Sequence, residues 1–450
     1  MADATKVFPG FITVDEALDM KTKEDRDLAI ELQLKHNNQY RTQQGLDIGA
    51  SDIAFKAEGA YFWDYDGNKH LDLIGSVGPA LLGLNNPFVV DSVKKYLDHK
   101  LMTMDPLVIH QTTAAFSANM ALVCPGLTRT VVCTGGAEAV ETLLKMVKIA
   151  SYRTKKGKSR MLTTYGAFHG KTTAAVNLGG KDKWRQYQGD DLPGFAHVPY
   201  GDWKAAEEEL KKGDIIAFLC EPIQGEGGIV VPPDDYLYKM RELCDKYDAY
   251  FCLDEIQAGS CRTGYYFAYQ YYEGLVPDAF SFAKAMSGAL VPVGGVQAKE
   301  ELYMAAYGSD ETAFHHTATY QDNQLSGVCA LACLQYMVEN DVPGLIRERS
   351  KYVIAGLNAL KEKYPNVIKS VRGRGYMLGV EYGANKAGEY YTIPICATLA
   401  NKYRVHTMFS INDERICRCY PNVAVTQEDF DWFLRDLENS INDVVAQMGE

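Results

Sequence analysis

No run of apolar residues approaches the roughly 18 that a membrane-crossing helix needs, so the sequence offers no candidate span. The amino terminus, MADATKVFPGFITVDEALDMKTKEDRDLA, has neither a basic stretch leading into an apolar core nor an Arg-rich amphipathic presequence, and the expectation is a cytoplasmic protein without a membrane contact. Basic blocks interleaved with aromatics are missing too. With 46 Lys and Arg against 58 Asp and Glu, the formal net charge is -12, a surface that repels phosphate backbones and argues against nucleic acid as a partner. The 11 cysteines form no C-x-x-C pair and have no clustered histidines to complete a zinc set, so no metal is assigned. Cys417 and Cys419 in CRC have the form of half a metal site, but alternation in a strand accounts for them as well. The other cysteines sit in apolar segments such as VVCTGG, AFLCEP and CALACLQ and read as small buried hydrophobes in a reducing compartment.

Internal repeats and linkers rich in Pro, Gly or Ser are also absent, although 450 residues are enough for two or three core-forming units. Any such units must share an interface. From about residue 105 to 325 short apolar runs alternate with helical patterns, the signature of βαβ units and a mainly parallel sheet. RTVVCTGG precedes a segment with Val140, Leu143, Leu144, Met146 and Val147 at helical spacing. SRMLTTYG, IIAFLCEP, AYFCLDE and DAFSFAK follow as candidate buried strands, each ending at a polar or glycine-containing turn. Beyond residue 325 come two long helical patterns and strands such as YMLGVEY and RICRCY. The first 70 residues hold an amphipathic helix and a hairpin-like GAYFWDYDGNKHLDL turning at Asp66-Gly67. The pattern predicts an α/β chain with a large domain over 76–325 and a small α+β domain built from 1–75 and 326–450.

In open α/β sheets ligands bind at the carboxyl ends of the strands, so the polar residues there are the candidates. Thr134, Gly135, Gly136 and Ala137 lie between a strand and a helix, where small residues and unpaired N–H groups suit a phosphate; a bare connection is the plainer alternative. Asp254 closes the run AYFCL. A carboxylate there needs a charged or hydrogen-bonded partner, which a protonated ring nitrogen would supply; capping a following helix is the alternative. Lys284 stands among small and apolar residues in DAFSFAKAMSGALVPVGG. A dry pocket would strip its proton and make it a nucleophile or base, whereas a surface lysine at a strand end would simply snorkel. Together with the aromatic Phe168 in GAFHGKT, these residues match the phosphate, ring face, ring nitrogen and aldehyde of pyridoxal phosphate in turn.

The segments TGGAEAVE, GAFHGKT, EPIQGEGG, LDEIQAGSCRTG, PDAFSFAKAMSGALVPVGG, HHTATYQDN and RICRCYPNVAVT resemble those of class III aminotransferases, the ω-aminotransferase branch of the fold type I pyridoxal-phosphate enzymes, in order and spacing across nearly the whole chain. The resemblance implies a mostly parallel seven-stranded sheet and a homodimer, or dimers paired into a tetramer, with sites at the subunit interface. It implies that Lys284 holds the cofactor as a Schiff base and that Asp254 pairs with the pyridine nitrogen. Gln257 would contact the ring hydroxyl, Phe168 would stack on the ring, and Gly135, Gly136 and Ala137 would cradle the phosphate. His169 and Glu221 complete the cofactor-binding set, and Thr319 would reach the phosphate from the other subunit. Arg418 would grip the carboxylate of an amino or keto acid, with Glu226 neutralising it when no carboxylate is bound.

Lys171 stands where many family members carry an arginine for a second substrate carboxylate, and an ammonium cannot reproduce that bidentate clamp. The segments GAFHGKT, KDKWRQY, LPGFAHVPYG and RGRGYMLGVEY are most similar to the putrescine aminotransferase group. The implied activity is amino transfer from an ω-amine or diamine to a 2-keto acid, 2-oxoglutarate or pyruvate, with ping-pong kinetics. Racemisation, epimerisation or amino-group migration on the same scaffold is the alternative, since the same lysine serves those reactions. Three segments depart from the family pattern: Gln321 and Asp322 replace two glycines after Thr319, GSCRTG replaces G-F-G-R-T-G, and GSVGPALLGLNNP lacks the usual G-H.

Overall fold

The computed structural model describes residues 8, 10–47, 56–105, 107–154 and 157–448. Its centre is a seven-stranded sheet of β4 (Arg129–Cys133), β5 (Arg160–Thr164), β6 (Phe195–Val198), β7 (Ile215–Cys220), β8 (Tyr250–Asp254), β9 (Ala279–Phe282) and β10 (Gly294–Ala298), in the order β4-β10-β9-β8-β7-β5-β6. Neighbours from β9 through β6 are parallel, and β10 runs antiparallel to both β9 and β4. All six residues of β7 are buried, as expected of a strand covered by helices on both faces. The carboxyl ends of the other six strands therefore converge on one edge of the sheet.

The helix Gly136–Thr154 follows β4 and buries Val140, Leu143, Leu144, Met146 and Val147 against the sheet, so the apolar spacing is realised as its inward stripe. β6 and β10 were not separately legible in the apolar pattern: FAHV is half-buried and GGVQA opens on two glycines. A side chain at Gly294 would place its Cβ 2.4 Å from the carbonyl oxygen of Gly135. Glycine there lets β10 lie directly against the turn that opens the helix.

Two four-stranded sheets stand apart from the large one. The first joins β1 (Lys56–Glu58), β2 (Tyr61–Trp63) and β3 (Lys69–Asp72) to β13 (Val405–His406), which pairs in parallel with Leu71 and Asp72 and so brings the two ends of the chain into one sheet. The β2–β3 turn forms at Asp66-Gly67, with Asp64 Oδ1 accepting from the amides of Asp66 and Asn68 at 2.9 Å each. The second holds β11 (Ile368–Arg374), β12 (Met377–Tyr382), β14 (Met408–Phe409) and β15 (Ile416–Cys419). CRC lies on β15, all four of whose residues are buried, so both faces of the strand are covered and exposure does not alternate along it.

The helices Val14–Leu18 and Lys23–His36 bury no residue, and Gln39–Asp47 buries only Thr42. The amphipathic segment near the amino terminus is thus helical without packing its apolar side into this chain's core. Local caps hold its ends: Thr13 and Glu16, then Thr22 and Asp25, form reciprocal capping boxes. Among the described residues no helix is long and apolar enough to cross a membrane, and no three His, Cys, Asp or Glu side chains are grouped to hold a metal. All 11 cysteines are buried free thiols.

Candidate active site

A cavity of about 310 Å³ opens at the carboxyl edge of the large sheet, and Lys284, Asp254, Gln257, Phe168, His169 and Glu221 all line it together with Gly135–Ala137. Gly135 and Lys284, 149 positions apart in sequence, meet there because β4, β5, β7, β8 and β9 end at the same edge of the sheet.

Asp254 is the last residue of β8 and only 3% exposed. Its Oδ1 accepts from the Ile256 amide and the Ser281 hydroxyl, both at 3.1 Å, and its Oδ2 lies 2.7 Å from His169 Nδ1. No regular helix follows, so Asp254 closes a tight turn and does not cap a helix. Burial works against a charged His169, but the hydrogen bond and charge of Asp254 outweigh it and hold the imidazole above its ordinary range. Glu221 sits just beyond β7 and accepts from the Phe168 amide at 3.1 Å and the Gly225 amide at 2.8 Å. Burial pushes its carboxyl up to about 7, against the favourable charge of His169.

Lys284 begins a single helical turn after β9 with φ 44°, in the left-handed region, which costs a non-glycine residue about 1–3 kcal/mol. The surrounding fold must supply that cost. Burial lowers its amine to about 8, partly offset by the Glu226 carboxylate and reinforced by Arg418. The neutral, nucleophilic amine is therefore expected to grow in as pH rises through about 8, read as the pH dependence of Lys284 acylation in cofactor-free protein. Glu226→Gln removes a charge that favours the ammonium and should move this titration to lower pH, and Arg418→Leu should move it to higher pH. Opposite results would mean that Glu226 and Arg418 do not control the amine.

Arg418 on β15 and Glu226 are both fully enclosed and form an ion pair through Nη1 and Oε1. Arg418 Nη2 donates to the Phe409 carbonyl at 3.3 Å, whereas Nε has no hydrogen-bond partner among the described residues. Glu226 Oε2 accepts from the Ile411 amide at 3.2 Å, and Gln257 Nε2 lies 3.4 Å from Oε1. Breaking such a pair by removing one partner leaves an uncompensated buried charge, at about 3–5 kcal/mol. The two buried charges therefore compensate each other in the closed fold.

The cavity fits pyridoxal phosphate by the chemistry of its donors. An amine, a charged carboxylate and an aromatic face surround it, and the first intrahelical bond of Gly136–Thr154 is donated by Ala139, so the amides of Gly136, Ala137 and Glu138 precede the helix's own ladder. A Cβ built on Gly135 meets nothing within 4 Å, which leaves open space in front of those amides.

Two candidates lie elsewhere. Lys171 is exposed, with Nζ 3.9 Å from the centre of the Trp184 ring, and does not line the cavity. Thr319 is exposed on a surface turn and does not reach this chain's cavity either. The sequence reading passed over Ser281, which braces Asp254, and Tyr420, whose hydroxyl donates to Gln257 Oε1 at 2.6 Å. Tyr420 stands inside RICRCYPNVAVT, two residues after Arg418, but only the fold brings Gln257 to its hydroxyl.

A family model described as Aminotransferase class-III matches residues 50–441. An uncharacterized aminotransferase of Schizosaccharomyces pombe is 43% identical over 449 residues, covering 98% of this chain and 91% of the relative. The ornithine aminotransferase of Toxoplasma gondii superposes with a TM-score of 0.85 at 24% identity, covering 99% of this chain and 100% of the other. An (S)-enantioselective omega-transaminase from Thermomicrobium roseum superposes with a TM-score of 0.84 at 23% identity, covering 93% and 99%. The fold, the cavity and these likenesses agree: the chain belongs to the class III aminotransferases and is a pyridoxal-phosphate-dependent enzyme of fold type I.

Proposed function

We propose that the enzyme transfers an amino group from an ω-amine or diamine of the putrescine type to a 2-keto acid, 2-oxoglutarate or pyruvate, through one site used in turn by donor and acceptor. The observation that carries this reading is the closed Glu226–Arg418 pair beside Lys284. A donor without a carboxylate leaves the pair intact, and a keto acid displaces Glu226 and takes the guanidinium. Both kinds of substrate are thereby accommodated at one amine, which is the arrangement that ping-pong kinetics require.

When bound, pyridoxal phosphate supplies the electron sink that makes the proton on the substrate's amine-bearing carbon removable. Lys284, whose amine faces the cavity, would hold the cofactor and would be the group placed to accept and return that proton. Burial suits it to this work by keeping a sizeable neutral fraction near pH 8. Asp254, braced by His169 at its Oδ2, would keep a proton on the ring nitrogen. The amides of Gly136 and Ala137 would bind the phosphate, Phe168 would cover the ring, and Gln257, held by Tyr420, would meet the ring hydroxyl. Lys171, anchored over Trp184, has no direct part in this set.

The same proposal includes a cytoplasmic homodimer in which the partner subunit's Thr319 completes the phosphate site. Its support is the exposure of Thr319 together with Leu107 (80% exposed), Ile109 (86%), Phe314 (73%) and Tyr320 (62%), large apolar side chains of the kind that a contact surface covers. The buried free thiols accord with a reducing compartment.

A donor panel tests the substrate assignment. Holoenzyme is mixed with putrescine, cadaverine, ornithine, lysine, 4-aminobutyrate or β-alanine without keto acid, and conversion of the bound cofactor to its pyridoxamine form is followed by absorbance. The diamines are expected to drive it to completion. If they give no half-reaction while α-amino acids do, the donor assignment is wrong.

A further inference from the structure

Arg262 is 1% exposed and forms no ion pair among the described residues, yet it is one of the largest side chains sealed in the fold. Its guanidinium is spent on backbone. Nη1 makes a long contact of 3.5 Å with the Tyr376 carbonyl, and the two short bonds run from Nη2 to the Gly78 carbonyl at 2.9 Å and from Nη1 to the Pro421 carbonyl at 2.6 Å, with the Tyr420 ring centre 5.3 Å from its central carbon. Burial lowers it to about 10, with Tyr420 and Asp72 acting in the opposite direction.

Both carbonyls belong to segments that touch the reacting groups. Gly75, Ser76, Val77 and Gly78 have φ 57°, 54°, 65° and 111°, four successive residues in the positive region, two of them not glycine. Such a run persists only where its surroundings enforce it. Asp72 Oδ1 holds its start by accepting from the Ile74 and Gly75 amides at 2.9 Å each, and Arg262 holds its end. At that end a Cβ on Gly78 would stand 3.2 Å from Lys284 Cδ, so the turn forms a wall against the lysine stem. Pro421 lies three residues beyond Arg418, and the intervening Tyr420 donates its amide to the Leu73 carbonyl at 2.6 Å and its hydroxyl to Gln257.

We propose that Arg262 is a positioning residue that couples the placement of Lys284 to that of Arg418, by clamping the Gly75–Gly78 turn and the exit of β15 with one guanidinium. This rests on the roles proposed above for Lys284 and Arg418. A lysine at 262 keeps the charge but, as a point donor, cannot bridge two carbonyls in fixed geometry. Gly78→Ala presses first on the Lys284 side, through the 3.2 Å contact and the φ of 111°, while its other neighbour, Tyr420 Cδ2, stands at an ordinary van der Waals distance of 4.0 Å.

The test uses holoenzyme of the wild type, Arg262→Lys and Gly78→Ala. It measures the limiting rate and half-saturation of the pyridoxamine form reacting with 2-oxoglutarate, and the pH titration of the bound cofactor's visible spectrum without substrate. Misplacement of reacting groups by about 1 Å costs on the order of 100-fold. Arg262→Lys is expected to lower the limiting rate by about 10- to 100-fold, raise half-saturation by about 10-fold and displace the spectral titration. Gly78→Ala is expected to lower the rate and displace the titration with half-saturation within about twofold. The clamp is refuted if Arg262→Lys alters thermal stability alone, or changes only one of rate and half-saturation. If Arg262→Lys yields no soluble enzyme, Gly78→Ala decides: an unchanged rate and titration, or half-saturation shifted as much as the rate, overturns the proposal. Lys284→Ala and Arg418→Leu run in parallel. Should they leave cofactor attachment and keto-acid half-saturation unchanged, the site assignment fails; should they act as proposed while Arg262→Lys is silent, only the clamp fails.

Discussion

Lys284→Ala is expected to abolish covalent retention of the cofactor and to lower transamination by at least about 10²- to 10⁴-fold, the contribution of a positioned proton-transfer group alone. Two functions disappear with one side chain, the tether and the base, and groups that act as a unit do not lose activity additively. The fold should survive. Lys284 occupies a strained left-handed backbone position at the cavity wall, and truncation removes a buried cation whose desolvation already lowers it to about 8. Visible absorbance after desalting, set beside the melting temperature, checks the claim. A variant that melts like the wild type and still carries the covalently bound cofactor would falsify the assignment. Added alkylamines should restore part of the proton transfer but none of the tether.

Asp254→Asn should leave the tether in place and still cost about 10²- to 10³-fold in turnover, the usual loss when one preorganised electrostatic group is removed from an active site. The amide is the same size, and its oxygen can keep the contacts that Oδ1 makes with Ile256 and Ser281. What it loses is the negative charge facing His169 and the cofactor nitrogen. Without that charge, burial at His169 is opposed by Glu221, and the imidazole's pKa shifts downward. The measurement is the half-reaction rate at saturating amine, with cofactor content as the control. Rates within about tenfold of the wild type at full cofactor content would show Asp254 to be a brace for the β8 turn and no more. The two variants thus separate attachment from electron withdrawal, which a single loss of activity would confound.

Much of this site was legible before any coordinates, because its members stand where apolar runs stop. Asp254 ends AYFCL, Lys284 follows DAFSFA, and Thr134–Ala137 link an apolar run to a helical one. In a parallel sheet those stops become a common edge, so residues distant along the chain are collected by the fold in a predictable place. The helix after Gly136 was legible for the same reason, since its inward stripe is written in the spacing of its apolar residues. β10 was less so, since it opens on glycines whose reason is the close approach to Gly135.

The sequence by itself determined the layered α/β architecture and the order of the residues that meet in the cavity, because apolar periodicity and turn chemistry are local and survive reading one residue at a time; the family and the cofactor came from the resemblance of its motifs to class III aminotransferases. Only the tertiary structure decided that Lys171 stacks on Trp184 outside the cavity, that Asp254 is held by Ser281 and His169, and that Arg262 reaches across 184 residues to the Gly78 carbonyl. The physical reason is the nature of the partners. Every residue carries a carbonyl, so nothing in the chain marks the two that a buried guanidinium will bind until packing has brought them within 3 Å of it.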